Sequence, residues 1–148
     1  KQCPFSTPSV SSFSLPLHMM REHCEIALAT TTGGLPHVRI VNFYYVPEEH
    51  RVCFATFKDN EKIVELSANP NTAFTTVLNN GTMEHVRASG RAVKSARSIY
   101  DIADAFTAKC PHYQEIIDNA GDDLILYEIT LTEAIVSLKA GHKERVLL

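Results

Sequence analysis

Short runs of alternating apolar residues, each ending on a turn signal, recur along this chain and constrain its fold more than any other feature. Glu25-Ile26-Ala27-Leu28-Ala29-Thr30-Thr31 reads as a strand that stops at Gly33-Gly34, a pair that marks a chain reversal. In the next run, His37 to Val46, the residues His37, Arg39, Val41, Phe43 and Tyr45 share one face, and Val38, Ile40, Asn42 and Tyr44 share the other. Both faces carry apolar bulk, so both are expected to be covered. Pro47-Glu48-Glu49-His50 then turns the chain into Arg51 to Phe57, a second hairpin. Asp59 or Asn60 is placed to cap a helix running to about Ala68, which Asn69-Pro70 stops. A third hairpin joins Thr72 to Leu78 and Glu84 to Lys94 through Asn79-Asn80-Gly81-Thr82. Further on, a helical region from about Ser98 to Asn119, interrupted at Pro111, precedes a final strand-pair region from Leu124 to Leu138. A short helix is expected from Leu15 to His23.

Six or seven short strands with tight turns and inserted helices describe a mainly β chain, an antiparallel barrel closed or partly closed with flanking helices. The helical crossovers of a doubly wound sheet are missing, as is any G-x-G-x-x-G or Walker-type loop. At 148 residues and 45% hydrophobic content, one core and one domain over residues 1–148 are expected, with 1–18 an extension of no assigned role. A net charge of −3 and no run of five basic residues speak against a nucleic-acid partner. No apolar stretch approaches the roughly 20 residues that cross a bilayer, so no membrane partner is expected. Cys3, Cys24, Cys53 and Cys110 lie far apart with no C-x-x-C pair, a pattern that fits a reducing cytoplasm better than a stapled secreted domain. Lys1 to Pro16 has no export-signal pattern.

The polar residues point to an anion. Arg39 lies on one strand, and Lys62 lies in the first turn of the helix that follows the next. A planar guanidinium and an ammonium together neutralise and orient a phosphate monoester. Asn60 adds an amide donor, and the helix N-terminus adds unpaired N–H groups and a positive dipole end. Taken singly, a strand arginine or a helix lysine is ordinarily a solvated surface residue, so the order and spacing carry the reading. Tyr44, Tyr45, Phe54 and Phe57 are read either as core or as stacking partners for a ring. No catalytic residue is assigned. No metal site is expected, since His18 and His23, five apart, fall on different helical faces.

Arg39-Ile40-Val41-Asn42, Ala55-Thr56 closing the next strand, Asn60-Glu61-Lys62 and Asn69-Pro70 stand in the order and spacing of a known family. The chain resembles the FMN-binding split-barrel superfamily of pyridoxamine 5′-phosphate oxidase over about Ile26 to Leu138. The resemblance implies a six-stranded antiparallel split β-barrel of Greek-key type. It also implies that Arg39, Ile40, Val41, Asn42, Ala55, Thr56, Asn60 and Lys62 hold FMN. His85 falls where an amide side chain of the oxidase approaches the flavin ring. By the same resemblance the chain forms a homodimer with flavin at the interface, fed by a small-molecule electron donor such as NAD(P)H. Two departures stand out. Glu61 replaces a basic residue, and Lys139 to Leu148 lacks the Trp and Arg-x-His elements with which the true oxidase grips its substrate. The expected function is a small flavin-dependent oxidoreductase other than a true pyridoxamine phosphate oxidase. The alternative is a non-catalytic flavin or haem binder for storage, sensing or electron transfer. Haem, through a residue such as His142, and deazaflavin are the alternative cofactors. Lys143 and Arg145 are read as solvated tail charges.

Overall fold

Paired glycines set the first turn. Gly33 and Gly34 have φ of 56° and 81°, values that a side chain disfavours, and the chain reverses there between β1 (Glu25–Thr32) and β2 (Leu35–Asn42). The two pair antiparallel, with Thr32 opposite Leu35 and Glu25 opposite Asn42. The computed structural model describes residues 18–78 and 81–148. Residues 18–22 are helical (α1). The first three residues of the expected Leu15–His23 helix, the Asn79-Asn80 turn and the extension before His18 lie outside the described residues.

The single strand expected from His37 to Val46 is two strands. The first, β2, ends at Asn42; Phe43, fully buried, donates its N–H to the Cys24 carbonyl at 3.1 Å; and β3 (Tyr44–Val46) follows. The ladder switches partner at that residue, because β2 pairs with β1 while β3 pairs with β4 (Arg51–Phe57). The strand order is β2-β1-β5-β6-β7-β4-β3. Its two ends are successive pieces of one run joined through Phe43, so the sheet curls on itself into a split barrel.

The expected third hairpin is the antiparallel pair β5 (Asn71–Thr76) and β6 (His85–Lys94). The end of the chain departs from expectation. Leu124–Leu138 is not a hairpin: β7 (Leu124–Thr130) and β8 (Glu133–Ser137) both lie against β6, at Ala92–Lys94 and His85–Arg87 respectively. The supposed solvated tail is β9 (Lys143–Leu147), paired with β8 and burying Val146. Its charged residues Lys143, Glu144 and Arg145 are exposed, as suits a strand at a sheet edge. Among the described residues the barrel sheet therefore has nine strands rather than six.

Besides α1, three helices among the described residues flank it. Asn60 caps α2 (Glu61–Ala68), accepting the Lys62 N–H at 2.9 Å, and α3 (Ala103–Lys109) and α4 (Tyr113–Ala120) flank the break at Pro111. The strand β4 is covered on both faces. Val52 and Phe54 point into the barrel with Ile26, Leu28 and Ile129, while Cys53 and Ala55 pack under Phe106, Tyr113 and Ile117 of the helices. No helix among the described residues is long and apolar enough to cross a membrane.

Cys24 and Cys110 form a disulfide across a sequence separation of 86. Wide spacing hid this pair, and the compartment inferred from isolated thiols loses its premise.

Gly90 sits where β6 passes from one set of partners to the other. A Cβ there would meet Ile129 Cγ2 at 2.7 Å and the Thr130 carbonyl at 3.1 Å, the second of these being backbone that cannot rotate away. Gly90→Ala is expected to lower unfolding free energy by about 1–3 kcal/mol in urea titrations. An unchanged midpoint would show that β7 yields.

Candidate functional site

The chain leaves β4 at Phe57 and enters α2 at Glu61, so the N-terminal turn of α2 stands at the end of the β4 strand. Asn60 is extended at φ −74° and ψ 144° and spends its side-chain oxygen on the cap, which leaves its amide N–H groups to other partners. Beside this turn lies a cavity of about 270 Å³. Ile40, Val41 and Asn42 of β2, Ala55 and Thr56 of β4, and Asn60 and Lys62 line it. Tyr113 and Ile116 of α4 close the opposite side.

Two polar groups on this wall lack partners among the described residues. The Thr56 hydroxyl is buried and makes no hydrogen bond, a state that costs about 1–3 kcal/mol unless a ligand satisfies it. The Lys62 ammonium is half-buried and forms no ion pair or hydrogen bond among the described residues. Burial and the neighbouring Arg39 guanidinium push its pKa below the ordinary lysine value, and Glu65 opposes them in part. A partly desolvated cation next to another cation gains from an incoming anion.

Arg39 itself does not line the cavity. Its Nη1 donates to Thr30 Oγ1 at 2.6 Å and its Nη2 to Glu65 Oε2 at 2.7 Å. The Glu65 carboxyl is held below the usual range, first by the Thr30 hydroxyl and then by Arg39. The arginine and lysine read together in the sequence thus play different parts, Arg39 tied to Glu65 and Lys62 facing the cavity. Glu61, the acidic residue that drew attention in the sequence, is exposed and off the cavity wall. Glu65, one turn later, is the carboxylate that meets a site cation. The i,i+4 spacing of Glu61 and Glu65 puts both on adjoining parts of one helical face, but nothing in the sequence says which one turns inward.

His85 lies elsewhere, at the start of β6, opposite Ser137 and with Nδ1 2.8 Å from the Met83 carbonyl. Tyr113 and Ile116 were missed, since they enter the site from a helix more than fifty residues downstream. Among the described residues no three His, Cys, Asp or Glu side chains converge as a metal site requires.

Residues 19–143 match the family model described as pyridoxamine 5′-phosphate oxidase-like. The chain belongs to that family. No curated protein matches the sequence. Solved structures share the fold of this oxidase-like chain at low identity. A haem-binding protein from Mycobacterium smegmatis superposes with a TM-score of 0.73 at 16% identity, over 95% of this chain and 59% of its own. A nimC/nimA family protein from Clostridium acetobutylicum gives 0.69 at 16%, over 89% of each chain. A FAD-binding protein from Mesorhizobium loti gives 0.62 at 12%, over 81% and 89% respectively.

Proposed function

We propose that this oxidase-like chain binds FMN in the cavity between β2, β4 and α2 and works as a small flavin-dependent oxidoreductase. The observation that carries this is the pairing on one wall of an unpartnered Lys62 ammonium and an orphaned Thr56 hydroxyl. With the Asn60 amide and the first N–H groups of α2 they form a donor set suited to a phosphate monoester. Ile40, Val41 and Ala55 supply an apolar surface for a planar ring. Arg39 stays with Glu65, steadies α2 against β1 and β2, and adds positive potential beside Lys62. Bound flavin would supply the redox chemistry, and the chain's residues position it and neutralise its phosphate.

The same cavity supports a homodimer. Val38 and Ile40, on one face of the edge strand β2, are 70% and 55% exposed, and Ile40 also borders the cavity. A second copy laid on this face would cover apolar surface that a lone chain leaves in water and would complete the cavity's open side. His85, away from its own chain's cavity, is then available to the partner's flavin. The electron donor is a small molecule of the NAD(P)H class, and a pyridoxamine phosphate substrate is not expected.

A second reading, a non-catalytic haem binder, draws on the Mycobacterium smegmatis neighbour. The cavity wall fits it less well. Among the described residues no His, Cys or Met lines it, and burial raises the pKa of the Tyr113 phenol, the remaining group of axial-ligand type. The test is to mix the purified chain with FMN or with haem and pass each through a sizing column. Retained flavin bands on a dimer-sized species are expected, and NAD(P)H oxidation with an electron acceptor would then establish turnover. Haem retained where FMN is lost would overturn the flavin reading.

A further inference from the structure

Two sulfurs meet beside the cavity. Cys24 stands just ahead of β1 and Cys110 just after α3, with their Cα atoms 5.8 Å apart. From Cys24, contacts run to one cavity wall. Asn42 Nδ2 donates to the Cys24 carbonyl at 3.3 Å and lies 3.4 Å from its sulfur, and Asn42 Oδ1 is 3.3 Å from His112 Nε2. From Cys110 they run to the other wall, where the Cys110 carbonyl accepts the Tyr113 N–H at 2.9 Å. The bond therefore links the β2 side of the cavity to the α4 side. Besides the Asn42–His112 contact, Lys109 ties the end of α3 to this region: its Nζ donates to the Met20 carbonyl at 2.8 Å and lies 3.5 Å from the centre of the Phe43 ring.

The two sulfurs differ in access. Cys110 is fully buried, whereas Cys24 is half-buried and borders an open groove with His23 and Leu78. Cys53 is buried and remote from water, and burial pushes its thiol up to about 11, so it stays an unreactive thiol.

We propose that Cys24 and Cys110 are a reversible thiol–disulfide pair that exchanges with small organic thiols and disulfides and sets the affinity of the adjacent cavity for its ligand. In the oxidising direction the Cys24 thiolate attacks one sulfur of the small disulfide and releases one thiol. The Cys110 thiolate then attacks the Cys24 sulfur of the mixed disulfide and releases the second. Two protein thiols and one small disulfide thus become one protein disulfide and two small thiols, the two cysteine protons passing to the departing thiolates. Reduction runs the same path backwards. In the oxidised state α3 and α4 are held against the start of β1. Reduction leaves Lys109 and the Asn42–His112 contact as side-chain ties, and the Tyr113 and Ile116 wall loosens. The ligand part of the inference rests on the flavin reading above. FMN affinity is expected to be about tenfold higher in the oxidised state. By linkage, bound FMN then makes the pair harder to reduce by about 30 mV, the tenfold equivalent for a two-electron couple.

The experiment compares the full chain after oxidised glutathione with the same chain after dithiothreitol, alongside Cys24→Ser, and maps thiols by alkylation and mass spectrometry. FMN binding is read by flavin fluorescence, and hydrogen exchange is followed over Tyr113–Ala120. The expected result is a Cys24–Cys110 bond, slower exchange over α4 and tighter FMN binding after oxidation, with Cys24→Ser indifferent to either reagent. Equal exchange and equal affinity in the two states, or both cysteines alkylated after oxidant, would overturn the proposal. An exchange difference with no FMN binding in either state would remove the flavin reading and leave the redox pair standing.

Discussion

Replacing Lys62 by Ala is expected to weaken FMN binding roughly 10- to 150-fold and to leave riboflavin binding within about a factor of three. The figure follows from the contribution of about 1.5–3 kcal/mol that a hydrogen bond to a charged group makes, at 1.4 kcal/mol per tenfold. A flavin phosphate carries close to two negative charges near neutrality, and among the described residues Lys62 is the cavity-lining cation without a partner. Riboflavin has the same ring and ribityl chain without the phosphate, so it reports on packing alone. Lys62→Met keeps the aliphatic stem and should reproduce the loss for FMN, which separates charge from volume. Because burial and Arg39 depress the Lys62 pKa in the ligand-free chain, a bound dianion should raise it again. FMN affinity should then fall as pH rises through the titration of Lys62 in the ligand-free chain, which the depressed pKa starts below the ordinary lysine range, and level off once the lysine of the complex also loses its proton. Equal losses for FMN and riboflavin would place the phosphate elsewhere.

Phe54→Ala should cost about 3–5 kcal/mol of unfolding free energy, the range for a fully buried phenyl ring. Phe54 is completely buried within the barrel and stacks on Tyr127 with centroids 5.7 Å apart and planes 14° from parallel. It sits on β4 between the ladders to β3 and β7, so a cavity there opens at the centre of the barrel. At about 2–4 °C per kcal/mol for a chain of this size, the melting temperature should fall by roughly 10 °C. Ala55 and Thr56 continue the same strand into the ligand cavity, so FMN affinity should weaken with it. A loss below 1 kcal/mol would mean that the barrel interior repacks around the gap.

What the sequence disclosed was the local chemistry. Gly33-Gly34, the Pro47 turn, the Asn60 cap and the Asn69-Pro70 stop are each decided by a few neighbouring residues, and each lies where the sequence put it. The family phrase likewise brought Ile40, Val41, Asn42, Ala55, Thr56, Asn60 and Lys62 onto one wall. What stayed hidden depends on distant partners. Nothing near Phe43 announces that the ladder changes partner there, since both halves of the run alternate alike. The β9 strand looks like a solvated tail because its outward residues are charged, and a lone Val146 turned to the core is too weak a signal. Cys24 and Cys110 meet only because α3 packs against β3, which brings the residue after α3 to the one before β1. Arg39 reads as a ligand residue until the helix register turns Glu65, rather than Glu61, toward it.

A crystal structure of the chain with FMN shows directly whether the β2–β4–α2 cavity holds the flavin. The phosphate is expected within hydrogen-bonding reach of Lys62 Nζ and the Asn60 amide, with the Thr56 hydroxyl engaged by the ligand and the Arg39–Glu65 pair intact. Flavin bound elsewhere on the barrel, or no flavin in the cavity at saturating FMN, would contradict the flavin reading.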